Sequence, residues 1–149
     1  MGPTPLIGVL TYPELLVACD NIAGDLSDDP RTQVGAMIVN ADGSVVASGV
    51  NRLPRGVEKL PGRVRMPLKR AFLEHAERDA IFHAARHGLR LDTATMVAPW
   101  AACAECARAI VAAGIGCLVR RPVPESRWSY SIELGDVMLR EAGVTIVEL

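Results

Sequence analysis

From residue 71 onward, helix-patterned and strand-patterned segments alternate, and that alternation limits what the chain can fold into more than any other feature. Ala71–His87 is rich in helix formers and stops at Gly88. Thr95–Ala98 has the pattern of a short strand, Cys103–Ala113 is an alanine-rich helix stopped by Gly114, and Cys117–Arg120 is another strand. A last helix of about Ile132–Ala142 ends at Gly143, ahead of a strand at Val144–Val147. Glycine just past a helix tolerates the left-handed turn that a helix C-terminus favours. Strands separated by helices need crossover connections and run parallel, so the pattern predicts a partly parallel sheet covered by helices.

Upstream, Leu15, Leu16, Cys19, Ile22, Ala23 and Leu26 recur at three and four, and Thr11 and Glu14 have capping-box spacing around Pro13. A helix of about Pro13–Leu26 follows. Val34–Val39 and Ser44–Val50 are strand-like and flank Asn40-Ala41-Asp42-Gly43, which predicts a β-hairpin. Arg52–Arg70 has prolines, glycines and many cations without a sustained period, and reads as a long loop of the kind that is often functional. The order α-β-β-α-β-α-β-α-β makes this an α/β chain with a mixed five-stranded sheet and helices on both faces. Its 149 residues suit one domain spanning 1–149.

Charge narrows the partners. Sixteen basic and seventeen acidic residues give a formal net charge of −1, so no basic field draws the chain to polymeric nucleic acid. The longest apolar run, about Ala109–Val119, is too short for a bilayer span of roughly 20 residues, so no membrane partner is expected. The N-terminus MGPTPLIGVL has no basic n-region, and Leu6 stands where a myristoylation signal has Ser or Thr. The cytosol is the expected compartment. Reduced thiols are the rule there, so metal binding or burial should account for Cys19, Cys103, Cys106 and Cys117.

The chemistry lies in His75-Ala76-Glu77 at the front of one helix and Cys103-Ala104-Glu105-Cys106 opening the next. The i, i+3 spacing puts both sulfurs on one helical face, and a helix N-terminus favours thiolates. Two thiolates and one imidazole suit zinc, and a three-ligand set leaves a tetrahedral position open to water. Glu77 can stand beside that water as an acid/base. Alone, C-x-x-C reads as a redox pair or half a structural zinc site, and H-x-E as surface. Together they form the H-x-E and C-x-x-C signature of zinc deaminases. His83, His87, Cys19 and Cys117 read as packing or solvent-facing residues.

With those residues in hand, the chain resembles the cytidine and deoxycytidylate deaminase superfamily, and within it the dCMP deaminase branch. The matching stretches are DPRTQVGAMIV (29–39), GVNRLPRGV (49–57), EHAERDAI (74–81), CAECARAIVAAGI (103–115) and EAGVTIV (141–147). The resemblance implies a three-layer α/β/α sandwich, usually assembled as a homo-oligomer. It also implies hydrolytic replacement of the C4 amine of a pyrimidine, with dCMP going to dUMP and ammonia. Carried across residue by residue, it gives His75, Cys103 and Cys106 to zinc and proton shuttling to Glu77. It gives base recognition to the Ala76 N–H, base or sugar contact to Asn51, and nucleotide recognition to Arg86.

The loop cations Arg52, Arg55, Lys59, Arg63, Arg65, Lys69 and Arg70 could hold a monophosphate or simply be solvated. Trp100 could stack on a base, or serve a core or an oligomer interface, as could Trp128. Three positions depart from the family pattern: Ala102 replaces a proline, Asp79 an asparagine and Arg52 a glycine. Asp79 is expected to add negative charge near the active helix, and Arg52 to alter the turn beside the pocket. These departures keep open deamination of a nucleoside, a free base or another amino-substituted heterocycle. Of a different class is a non-catalytic, zinc-stabilised interaction module.

Overall fold

The computed structural model describes residues 9–149, so the segment read above for targeting signals lies almost wholly outside the described residues. Helix α1 (Tyr12–Leu26) begins with the expected capping box. The Thr11 hydroxyl accepts from the Glu14 N–H at 3.3 Å, and the Glu14 carboxylate accepts from the Thr11 N–H at 2.8 Å. Strands β1 (Gly35–Val39) and β2 (Val45–Val50) form the hairpin, turned through Gly43 at φ +83°.

The 52–70 segment is not wholly irregular: a 3-10 turn at Pro61–Val64 and a one-turn helix α2 (Lys69–Phe72) interrupt it. Helix α3 then covers Ala76–Arg86, not the continuous 71–87 that the composition predicts. The break has a long-range cause. Glu74 is drawn into extended pairing with Arg52, their backbones exchanging hydrogen bonds of 2.8 and 3.3 Å, and a helical Glu74 could not make them. Strand β3 (Thr95–Val97), α4 (Ala104–Ala112), β4 (Cys117–Arg120), α5 (Ser129–Glu141) and β5 (Thr145–Glu148) follow, α5 starting three residues earlier than its apolar pattern indicates.

The strand order is β2-β1-β3-β4-β5, antiparallel from β2 to β3 and parallel from β3 to β5. Alternation along the strands builds two cores. Ile38, Met96 and Leu118 face α3, α4 and α5, where Ala80, Ala84, Ala107 and Ile110 pack without exposure. Their neighbours Val39, Val97 and Val119 face Leu15, Leu16 and Cys19 of α1. The result is a three-layer α/β/α sandwich with a mixed five-stranded sheet, as the resemblance implies. Cys19 is a core residue whose thiol donates to the Val97 carbonyl at 3.4 Å, and burial pushes its pKa up to about 12.

Candidate active site

Because β1 runs antiparallel to both β2 and β3, and β4 parallels β3, strands β2, β3 and β4 all end at the same edge of the sheet. The segments leaving those ends, with the first turns of α3 and α4, enclose a cleft of about 830 Å³. Clefts at the carboxyl ends of strands are where open α/β sheets bind ligands.

His75 and Cys103 are the N-cap residues of α3 and α4, each in extended conformation, and Cys106 lies one turn into α4. His75 Nδ1 stands 3.5 Å from Cys103 Sγ and 3.4 Å from Cys106 Sγ, and the three ligand atoms lie within 4.8 Å of one another. Zinc–sulfur and zinc–nitrogen bonds of about 2.3 and 2.0 Å at the tetrahedral angle put N and S about 3.5 Å apart, so the donor set fits zinc. A hydrogen bond from Cys106 holds the Cys103 thiol down to about 3 against its burial, and Cys106 is pushed up by donating that bond and by burial. The hydrogen bond to Cys103 raises His75 although burial opposes it.

Glu77, on the first turn of α3, is buried at 4% exposure, with Oε2 3.5 Å from Cys106 Sγ. Desolvation raises its pKa, the direction that lets a carboxyl group carry a proton near neutrality. Arg78 ties the two ligand-bearing helices together: its guanidinium bonds Glu74 on one side and Glu105 of α4, at 2.7 Å, on the other. The Glu74 carboxylate also accepts the His75 N–H at 3.0 Å.

Ala76 lines the cleft, and as the first residue of α3 its N–H has no intrahelical acceptor. Trp100 lines it too, half exposed at 51%. Asn51 reaches the cleft, but most of its amide is engaged in shaping the loop before β1. Its Oδ1 accepts from Ser27 Oγ at 2.5 Å and Val34 N at 3.0 Å, and its Nδ2 donates to the Thr32 carbonyl at 2.6 Å. One amide hydrogen is left for a ligand. Arg86 does not join these residues: it ends α3, exposed, three turns from His75, and is not among the residues lining the cleft.

Trp128, to which the sequence assigns no single role, lies edge-on to His75 with ring centroids 6.0 Å apart and lines the cleft. Ser131 of α5 accepts the Ala104 N–H at 2.9 Å and supplies the cap that Cys103 does not. The only sequence signal for this wall was a tryptophan just ahead of a helix.

The cations sort themselves by partner. Lys69 is held by Asp29 at 2.8 Å, Arg121 by Asp20 and Arg78 by two glutamates, all at the cleft. Lys59 pairs with Asp28 away from it. Arg70 and Arg127 line the cleft without a carboxylate partner among the described residues. Arg52 and Asp79, two of the departures from the family pattern, bond each other at 2.9 Å, and neither lines the cleft. The expected unbalanced negative charge beside the active helix is therefore neutralised.

Residues 12–120 match the sequence profile of the cytidine and deoxycytidylate deaminase zinc-binding region. The human deoxycytidylate deaminase is 33% identical over 112 residues, 71% of this chain. An uncharacterized deaminase in the luxG 3' region of Aliivibrio fischeri is 32% identical over 131 residues, 86% of each chain. The match spans 62% of the length of the human protein. Among solved structures, dCMP deaminase from the cyanophage S-TIM5 in complex with dCMP and dUMP superimposes with a TM-score of 0.73 at 23% identity, over 92% of this chain and 95% of that one. At that identity the likeness concerns the fold.

Proposed function

This chain belongs to the cytidine and deoxycytidylate deaminase family, whose metal is zinc, and on that premise we propose that it hydrolyses the C4 amine of dCMP, giving dUMP and ammonia. The observation that carries the reading is the convergence of one imidazole and two sulfurs at tetrahedral spacing with a buried carboxyl group 3.5 Å from one sulfur. His75, Cys103 and Cys106 would hold zinc, which when bound polarises water and lowers its pKa toward about 7. Glu77 would take one proton from the attacking water and give it to ring N3, then carry the second, from the new C4 hydroxyl, to the amine as the C4–N bond breaks and the carbonyl forms. The balance is dCMP plus water to dUMP plus ammonia, with no oxidant or reductant.

The Ala76 N–H and the remaining Asn51 amide hydrogen orient the base, and Trp100 offers it a face. Arg70 and Arg127 are the cleft cations whose charge is not already answered by a carboxylate, so they suit a monophosphate better than the 52–65 loop does. Arg86 is left without a role in this cleft. A structural zinc module does not require a buried acid beside an incomplete ligand set. No described helix is long and apolar enough to cross a membrane. A homo-oligomer, which the family resemblance supports, and a cytosolic setting, which keeps thiol ligands reduced, belong to the proposal.

The test is Glu77→Gln. With dCMP and deoxycytidine as substrates and ammonia as readout, the variant should keep about one zinc per chain while kcat falls about 10²- to 10⁴-fold, the usual contribution of a positioned acid/base. Unchanged turnover removes Glu77 from the reaction. A parent inactive on both compounds removes cytosine deamination itself.

A further inference from the structure

We infer that Asp79 and Arg52 work as one positioning device that fixes the Asn51 wall of the cleft against the helix carrying Glu77. The inference rests on the deaminase reading and goes beyond it, because neither side chain lines the cleft.

Its basis is a closed ring of bonds. Asp79 lies on the first turn of α3, and its Oδ2 accepts twice, from the Val50 N–H at 3.0 Å and from Arg52 Nε at 2.9 Å. Val50 ends β2, an edge strand, so the carboxylate supplies an acceptor that no neighbouring strand offers on that side. Arg52 in turn exchanges both backbone hydrogen bonds with Glu74, the residue before His75. The Asp79 N–H closes the ring on the His75 carbonyl at 2.8 Å. Asn51 stands between the two residues that Asp79 grips. Fixing 50 and 52 fixes 51, and with it the spacing from Asn51 to Glu77.

Both charges are needed or neither is. The pair is partly buried, with side-chain exposures of 30% and 22%. Asp79→Asn keeps an acceptor for Val50 but leaves the partly buried Arg52 guanidinium without its counter-charge. Arg52→Gly leaves the carboxylate with one backbone donor. The double variant retains the Val50 bond and removes the stranded charge. These two positions are departures of opposite sign from the family pattern, and the ring explains them as one change.

The experiment is a double-mutant cycle on the zinc-loaded protein, with kcat on dCMP expressed per zinc-bearing site well below the unfolding temperature. A purely structural role would lower the population of folded sites without lowering their kcat. Each single variant should lose about tenfold in kcat per site, and Asp79→Asn with Arg52→Gly should recover to within about twofold of the parent, the coupling expected of groups in direct contact. Arg52→Lys, which keeps the charge with altered geometry, should lie between parent and Arg52→Gly. Losses that multiply in the double variant, or single variants with parental kcat, overturn the inference.

A parent that releases no ammonia counts against the functional reading alone. In that case the ligand-field spectrum of the cobalt-substituted protein reports the His75 geometry. It should shift in both single variants and return in the double one. Spectra unchanged in the single variants overturn the positioning role.

Discussion

Gly49→Ala tests how tightly the catalytic helix is held to the sheet. A Cβ on Gly49 would lie 2.9 Å from the Asp79 carbonyl carbon and nearer still to the Ala80 nitrogen and the Ala76 oxygen, against 3.4 Å for an ordinary contact. All three atoms are α3 backbone, so no rotamer change relieves the clash. The Asp79 contact alone needs 0.5 Å, the difference of those two distances, and the two closer atoms need about twice that. Whether α3 lifts or the edge strand β2 slides, the spacing between Asn51, two residues on, and Glu77 opens by about 1 Å. Overpacking of this kind costs about 1–3 kcal/mol. For a domain of this size that is about 3–10 °C in Tm. A misplacement of about 1 Å costs on the order of 10² in rate, so kcat should suffer far more than folding does. Ammonia release per zinc-bearing site, alongside urea unfolding, separates the two effects. Parental kcat in a variant that unfolds earlier would refute the link between this packing and the chemistry, and parental values of both would refute the packing argument itself.

Two further perturbations probe the frame. Arg120 is buried, with Nη1 and Nη2 bonded to Asp136 at 2.7 and 2.8 Å and Nη2 also to Glu148 at 2.9 Å. Asp136→Ala should cost about 3 kcal/mol in urea unfolding by leaving the guanidinium with one half-exposed partner, whereas Arg120→Met with Asp136→Leu should cost less than the single change. A double variant less stable than the single one would contradict this. Asp29 has its pKa held below 3.8: burial opposes ionisation, but the hydrogen bonds from Lys69 and from the Arg31 and Thr32 N–H groups outweigh it. A lowered folded pKa stabilises above the unfolded value and is lost as pH falls through the folded one. The stability difference between parent and Lys69→Met should therefore be full above about pH 4 and shrink below it. A difference constant from pH 7 to pH 3 in urea midpoints would exclude the Asp29 linkage.

What the chain discloses in one dimension follows the range of the interactions. The α1 capping box, the hairpin around Gly43 and the H-x-E and C-x-x-C spacings are local, and each stands where the pattern puts it. The start of α3 is not legible in the sequence, because Ala71–His87 reads as one helix while Arg52, more than twenty residues earlier, holds Glu74 extended. The Trp128 wall was equally hidden, since only the parallel crossover from β4 brings it to His75. Arg52 and Asp79 were visible as two oddities of opposite charge. Their sign was the clue that they belong together, but only the packing of α3 on β2 shows it.

The helix termini explain why these local signals coincide with the site. Away from the cleft, α1 spends its N-cap side chain on its own first turn. At the cleft, α3 and α4 place a histidine and a cysteine at that position, and neither side chain caps its helix. Forgoing a side-chain cap costs about 1 kcal/mol per helix. Bound metal offsets this many times over, because ligation energy is folding energy in a site the unfolded chain lacks. The uncapped termini also turn their positive ends toward both sulfurs, which favours the thiolates that zinc would bind. Ser131 restores one missing bond from outside, at Ala104, without occupying the position that Cys103 needs. The same substitution of ligand for cap thus makes the motif readable in the sequence, fixes His75 and Cys103 at the strand ends, and ties the stability of the fold to the metal.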